Sequence, residues 1–250
     1  MSAHHNQHPI RDIQSNKLTD GACAPPAKAG RQKSIVSAIR GIAAKYAKKC
    51  KKKIAEALEQ AKSKTHSHAS IMSLLGIPRT DLPVFDSIHQ VLRIVFRNAG
   101  SMIEDMVKEC LQDLPGYNST TRLPNLIGNR PAYHEVDCTI GQFAYEIKWR
   151  DATTDGDHVT KEIERIKNFK AHGYTPVRLM FFASDNKNSK SIQARIAREY
   201  HNAGGQYYCE QAAWDHIREV SGHDLQKILE DIDRGNDNVF SYLKELAEQG

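Results

Sequence analysis

Apolar residues recur at three- and four-residue steps through Ile35, Ile39, Ile42, Ala43, Tyr46, Ile54 and Leu58, which predicts a helix from Ser34 to about Ser63. A short helix near His68–Leu75 stops at Gly76, with Pro78 beyond. Asp81-Leu82-Pro83 then starts another, over Val84 to Phe96, and Asn98-Ala99-Gly100 reads as its stop. Ser101 opens the next helix, to about Leu111, with Ile103, Met106, Val107 and Cys110 on its inner face. Pro115 to Arg130 carries no periodicity and reads as a loop. Two short strands follow between Tyr133 and Trp149. Val159 to His172 is a helix that turns Ile163, Ile166 and Phe169 inward and ends at Gly173. Val177 to Ala183 is a continuous apolar strand, the kind covered on both faces of a sheet. A helix over Ser189–Ala203 and a strand over Gln206–Cys209 complete the middle of the chain. From Gln211 onward the pattern is helical, broken near Ser221-Gly222 and Gly235. Its Ile228, Leu229, Ile232, Phe240, Leu243 and Leu246 form either a cap or a dimer surface. This order predicts the α/β class, a mixed central sheet flanked by helices, with helical N- and C-terminal segments.

The segment from Tyr133 to Trp149 carries the chemistry. Gly141-Gln142 suits a two-residue type II′ turn, which sets Ile140 opposite Phe143. Continuing the ladder sets Asp137 opposite Glu146, with Cβ atoms roughly 5 Å apart. Lys148, two residues past Glu146, shares that face. Phe143, Tyr145, Ile147 and Trp149 form the apolar face of what reads as a half-buried strand. Two carboxylates at that separation repel, and a hard divalent cation between them removes the repulsion. An ammonium beside them holds a water or a phosphate oxygen. The same residues also fit a surface hairpin whose charges point into water.

Asp137, Glu146 and Lys148, with the helix and strand that follow, resemble the PD-(D/E)xK nuclease family, except that Val136 stands where the motif has Pro. The longer string from Tyr145 to His158, with the helix start at Lys161-Glu162, is similar to the ApaLI-like restriction endonucleases. The resemblance covers roughly residues 85–200. It implies a type II restriction endonuclease that makes Mg²⁺-dependent double-strand cuts at a short palindrome, GTGCAC, and leaves 5′-phosphate ends. Asp137, Glu146 and the Ile147 carbonyl would hold the metal, and Lys148 would orient the attacking water. Glu104 has two readings: an extra carboxylate of the metal site, or the Glu of a capping box Ser101-Met102-Ile103-Glu104. Arg122 and Arg130 would emerge near the site, as residues of a type that reads base edges. Arg150, Asp151, Thr153 and Thr154 would contact bases or sugars by the same analogy. A palindromic double-stranded DNA target implies a twofold dimer, and a restriction enzyme implies a companion methyltransferase for the same site. Two other classes fit the residues: a structure-dependent or nonspecific repair nuclease of the same fold, and a non-catalytic basic DNA-binding protein.

Composition narrows the rest. The 250 residues suit one sizeable domain with extensions. We expect a flexible tail (1–30), a basic helical segment (31–80), the nuclease core (81–210) and a helical C-terminal segment (211–250). The formal charge is only +5, but Arg31 to Lys64 is rich in Lys and Arg with Glu56 and Glu59 as its only acids. Such a stretch either meets a polyanion through counterion release or is a solvated helix face. Cys23, Cys50, Cys110, Cys138 and Cys209 are odd in number and scattered, which points to reduced thiols in a cytoplasmic protein and away from structural zinc. No apolar run suits a membrane span and no apolar leader core opens the chain. Asp151, Asp155 and Asp157 fail the EF-hand pattern.

Overall fold

The computed structural model describes residues 29–62, 69–150, 156–183 and 186–233. Its helices are α1 (Ala29–Lys62), α2 (Ala69–Leu74), α3 (Leu82–Leu111), α4 (Gly156–Ala171), α5 (Lys187–Asn202), α6 (Gln211–Ser221) and α7 (Leu225–Asp233). Its strands are β1 (Tyr117–Asn118), β2 (Thr121–Pro124), β3 (Tyr133–Val136), β4 (Cys138–Ile140), β5 (Phe143–Arg150), β6 (Thr175–Phe182) and β7 (Gln206–Cys209). A five-stranded sheet runs β1-β4-β5-β6-β7, antiparallel up to β5 and parallel from β5 to β7; β2 and β3 form a separate antiparallel pair.

The pleat divides the sheet into two faces. Tyr145 and Ile147 of β5 and Val177, Leu179 and Phe181 of β6 join Ile103, Met106 and Val107 of α3, Ile35 and Ile39 of α1, and Trp214 and Ile217 of α6 in one core. Ala144 packs on the opposite face with Phe169 of α4, Leu123 and Val136, and α4 packs on α5 through Val159, Ile166, Ile196 and Tyr200. Helices therefore cover both faces, which is why β6 is apolar along its length apart from Arg178. Ile228 is buried in the first core with Leu229 and Ile232 against it, so the cap reading holds for these three; Phe240, Leu243 and Leu246 lie outside the described residues.

Several elements differ from expectation. The stop at Asn98-Ala99-Gly100 does not occur: α3 runs unbroken through it. The buried Asn98 satisfies its amide by donating to the Ile94 carbonyl at 2.7 Å, inside the helix. Gly100 serves packing, since a Cβ there would lie 3.3 Å from Trp149 Cδ1. Ser101 is therefore mid-helix and cannot be an N-cap. The 115–130 loop contains β1 and β2. The expected first strand of the hairpin breaks at Asp137, with β3 pairing to β2 and only β4 pairing to β5. Finally, β5 is not half-buried: Ala144 and Glu146, on its supposedly open face, are covered.

Candidate active site

The hairpin turn forms as its sequence dictates. Ile140 pairs with Phe143, and Gly141 alone of the turn pair takes a positive φ, 53°, as a type II′ turn requires. The ladder continues to Cys138 opposite Tyr145 and then changes register. The Asp137 N–H donates to the Tyr145 carbonyl at 3.1 Å, so Asp137 is bulged and does not sit squarely opposite Glu146. The bulge re-aims its side chain along β5, where Asp137 Oδ2 accepts the Ile147 N–H at 2.6 Å. Thr120 donates to the Asp137 carbonyl at 3.2 Å and fixes the bend from the other side.

Glu146 is buried beneath α4 at 1 % exposure, a burial that a carboxylate tolerates only when paired. Its Oε1 takes both the Lys148 ammonium and Arg165 Nη1 of α4, the latter at 2.5 Å. Arg165 Nη1 also reaches Glu162 Oε1 at 2.6 Å, and Glu162 Oε2 takes Arg178 Nη1 at 2.6 Å. Register explains the alignment, because Glu146 and Arg178 are partners on the parallel strands β5 and β6. A buried ladder of alternating charge thus runs Lys148, Glu146, Arg165, Glu162, Arg178.

The two carboxyl groups are driven apart. Burial, then the charge of Glu146, push the Asp137 carboxyl up to about 7, with Lys148 opposing. Burial also pushes Glu146 up, but Lys148, Arg165 and Arg178 outweigh it and hold that carboxyl below its ordinary value. Lys148, about a third exposed, loses from burial but gains more from Glu146 and Asp137, so its pKa is raised. Asp137 is thus an acid short of positive charge, and Glu146 is a fixed anion.

Glu104 lies near enough for its charge to act on Asp137, and its Oε1 accepts Lys108 Nζ at 2.5 Å. Lys108 continues to Thr120 Oγ1 at 2.6 Å, which links α3 to the residue that braces Asp137. Arg122 is exposed on β2 and 3.6 Å from Glu135 of β3, its register partner. Arg130 is exposed in the loop before β3. Arg150, at the end of β5, lies over the Phe96 and Trp149 rings at 4.6 and 5.6 Å. Asp151, Thr153 and Thr154 lie outside the described residues. The structure therefore gathers Asp137, Glu146, Lys148 and Ile147, with Glu104 beside them, and shows no contact of Arg122, Arg130 or Arg150 with that group.

Sequence reasoning missed Arg165, Glu162 and Arg178. Arg178 had a readable signal, a single charge inside an otherwise apolar buried strand. Glu162 and Arg165 had only a helical i, i+3 spacing.

The donors suit a hard cation. Among the described residues no three His, Cys, Asp or Glu side chains gather into a metal cluster. Mg²⁺ needs no such cage, since it is commonly held by one or two carboxylates with waters and substrate phosphate completing its shell. Asp137 and Glu146 supply the carboxylates. The N–H and C=O of a strand residue point to the same side, so the Ile147 carbonyl faces the Asp137 side, as its N–H does. The raised proton affinity of Asp137 marks a place where positive charge is favoured.

A mixed sheet with helices on both faces, carrying these charges on its central strand, is a restriction-endonuclease-like fold. The chain belongs to the ApaLI-like restriction endonuclease family, whose family model matches residues 25–234. It is accordingly a restriction enzyme, a nuclease that hydrolyses phosphodiester bonds of double-stranded DNA. No curated protein and no solved structure matches it. No helix among the described residues is long and apolar enough to cross a membrane.

Proposed function

We propose that the chain is a Mg²⁺-dependent type II restriction endonuclease that cuts both strands of a short palindrome, GTGCAC by its family likeness. It acts as a homodimer in the cytoplasm and leaves 5′-phosphate and 3′-hydroxyl ends. A companion methyltransferase protects the same site. The observation that carries this reading is the buried Asp137–Glu146–Lys148 group, in which two carboxyl groups of opposite pKa displacement meet one partly exposed ammonium. Asp137, Glu146 and the Ile147 carbonyl hold the metal, with Glu104 a further carboxylate beside it. Bound Mg²⁺ supplies Lewis-acid stabilisation of the scissile phosphate and lowers the pKa of the attacking water. Lys148 orients that water and offsets the negative charge that develops on the phosphate oxygen. Arg165 keeps Glu146 ionised and fixed in place, so the anion needs no rearrangement when DNA arrives. Arg122, Arg130 and Arg150 contact DNA; for Asp151, Thr153 and Thr154 that role rests on the family likeness. Residues 81–210 form the nuclease core, between the basic segment 31–80 and the helical segment 211–250.

The test is digestion of a large plasmid or phage DNA with Mg²⁺ and with EDTA. Discrete fragments that vanish in EDTA are expected, and sequencing their ends gives the site and the overhang. Asp137→Ala should abolish cutting while a gel shift in EDTA retains DNA binding. A smear, or an Asp137→Ala enzyme that still cuts, would overturn the reading.

A further inference from the structure

Helix α3 presents one apolar face along its whole length, but the other described residues cover only half of it. Residues fourteen apart lie nearly four turns apart, on the same side of a helix. Met106 and Cys110 are in the core, whereas Leu92 and Phe96, fourteen residues before them, are 44 % and 40 % exposed. Val84, Phe85 and Ile88 extend the bare stripe toward the start of the helix, each more than 40 % exposed. α1 does not supply the missing cover. Tyr46 of α1 donates to Asp105 at 2.9 Å and marks the face that α1 occupies. Asn98 and Val91, one and two heptads before Asp105, are buried, and the bare stripe lies beside that row.

Area points to the occupant. Helix α2 leads through the 3₁₀ turn Arg79–Asp81 into α3, and adds Ile71, Leu74 and Leu75, among the most exposed large apolar residues described. Together with the stripe they expose on the order of 800 Å² of side-chain surface. A standard interface buries about 800 Å² per partner. The stripe is also self-complementary. An antiparallel twofold pairing of α3 sets Val84 against Phe96 and Ile88 against Leu92 of the second copy. Asp86 and Arg93 flank the stripe on one side, so the same pairing sets each Asp86 toward the other copy's Arg93.

We propose that this α2–α3 face is the dimer interface, and that its occupant is a second copy of the chain. The stripe ends at Phe96, whose ring lies 5.9 Å from Trp149, the residue after Lys148. Pairing there fixes the two candidate sites relative to each other through the ends of both β5 strands. The proposal rests on the reading of the chain as an enzyme that meets a palindrome as a twofold dimer.

Sedimentation equilibrium of the full chain at micromolar concentration tests it. The wild type should be a dimer. Leu92→Asp and Ile88→Asp should keep their helical circular dichroism and weaken association at least about 30-fold, as loss of a central interface anchor does. Leu126→Asp, which changes an apolar residue 60 % exposed on the α4 side, should leave the dimer intact. A dimer insensitive to Leu92→Asp and Ile88→Asp would overturn the assignment, as would a dimer that Leu126→Asp dissolves equally. So would a monomeric wild type, including one whose truncation after Asp233 newly exposes dye-binding apolar surface. DNA digestion is read separately, so a monomer that still cuts at a site would sink the interface and leave the nuclease reading standing.

Discussion

Arg178 offers the sharpest test of how the site is built. It is 1 % exposed in the middle of β6, and Nη1 meets Glu162 Oε2 at 2.6 Å. Burial works against its charge, and Glu162 more than restores it, so the guanidinium is held charged above its ordinary range. Arg178→Met keeps much of the volume and strands one oxygen of a carboxylate that is 2 % exposed. Removing one partner of a buried pair costs about 3–5 kcal/mol. Glu162 keeps Arg165 at 2.6 Å, so the loss should fall at the lower end, about 3 kcal/mol. For a chain of this size that lowers Tm by about 6–12 °C. Arg178→Met combined with Glu162→Met removes the stranded charge as well, and should recover about 2 kcal/mol relative to the sum of the single losses. Thermal and urea unfolding of the four proteins give the cycle. A single-variant loss under about 1 kcal/mol, or strictly additive losses, would show that the ladder does not support the sheet as described.

Lys148→Ala should lower cleavage by at least about 100-fold with DNA affinity retained, measured by single-turnover cutting and gel shift; normal cutting would sink its water-positioning role. In EDTA, stability should fall as pH rises from about 4 to 7. The folded state holds the Asp137 proton up to about 7 while the unfolded chain releases it near its ordinary value, and the slope reaches at most about 1.4 kcal/mol per pH unit. Glu146 acts below that window, because its folded pKa is depressed. Asp137→Asn should flatten the slope, and Mg²⁺ should raise the Tm of the wild type more than that of Asp137→Asn; equal slopes would contradict the burial argument. Gly205→Ala should cost about 1–3 kcal/mol, since a Cβ there would lie 2.4 Å from the Pro176 carbonyl oxygen. An unchanged urea midpoint would rule out that close approach of α5–β7 to β6.

Sequence alone carried the local chemistry and the order of elements. The Gly141-Gln142 turn, the C-terminal end of α1, the helices α2, α4 and α5 and the buried strand β6 follow from short-range steric rules and apolar spacing, which are written into neighbouring residues, whereas α1 starts at Ala29, five residues before the expected Ser34. Asp137, Glu146 and Lys148 were legible as a group because a hairpin places residues by counting from its turn. Tertiary structure decided what counting cannot reach. Asn98 and Gly100 look like a helix stop until Trp149 needs the space above Gly100 and α1 buries the Asn98 row, when packing outweighs propensity. The bulge at Asp137 arises because its amide takes the Tyr145 carbonyl and its carboxylate takes the Ile147 N–H. Arg165 and Glu162 reach the site only because α4 crosses over β5, and a charge buried by a distant element leaves no mark in its own neighbours. The bare stripe on α3 is the same case reversed. Its apolar spacing runs the length of the helix, and only tertiary packing decides which half the described residues cover.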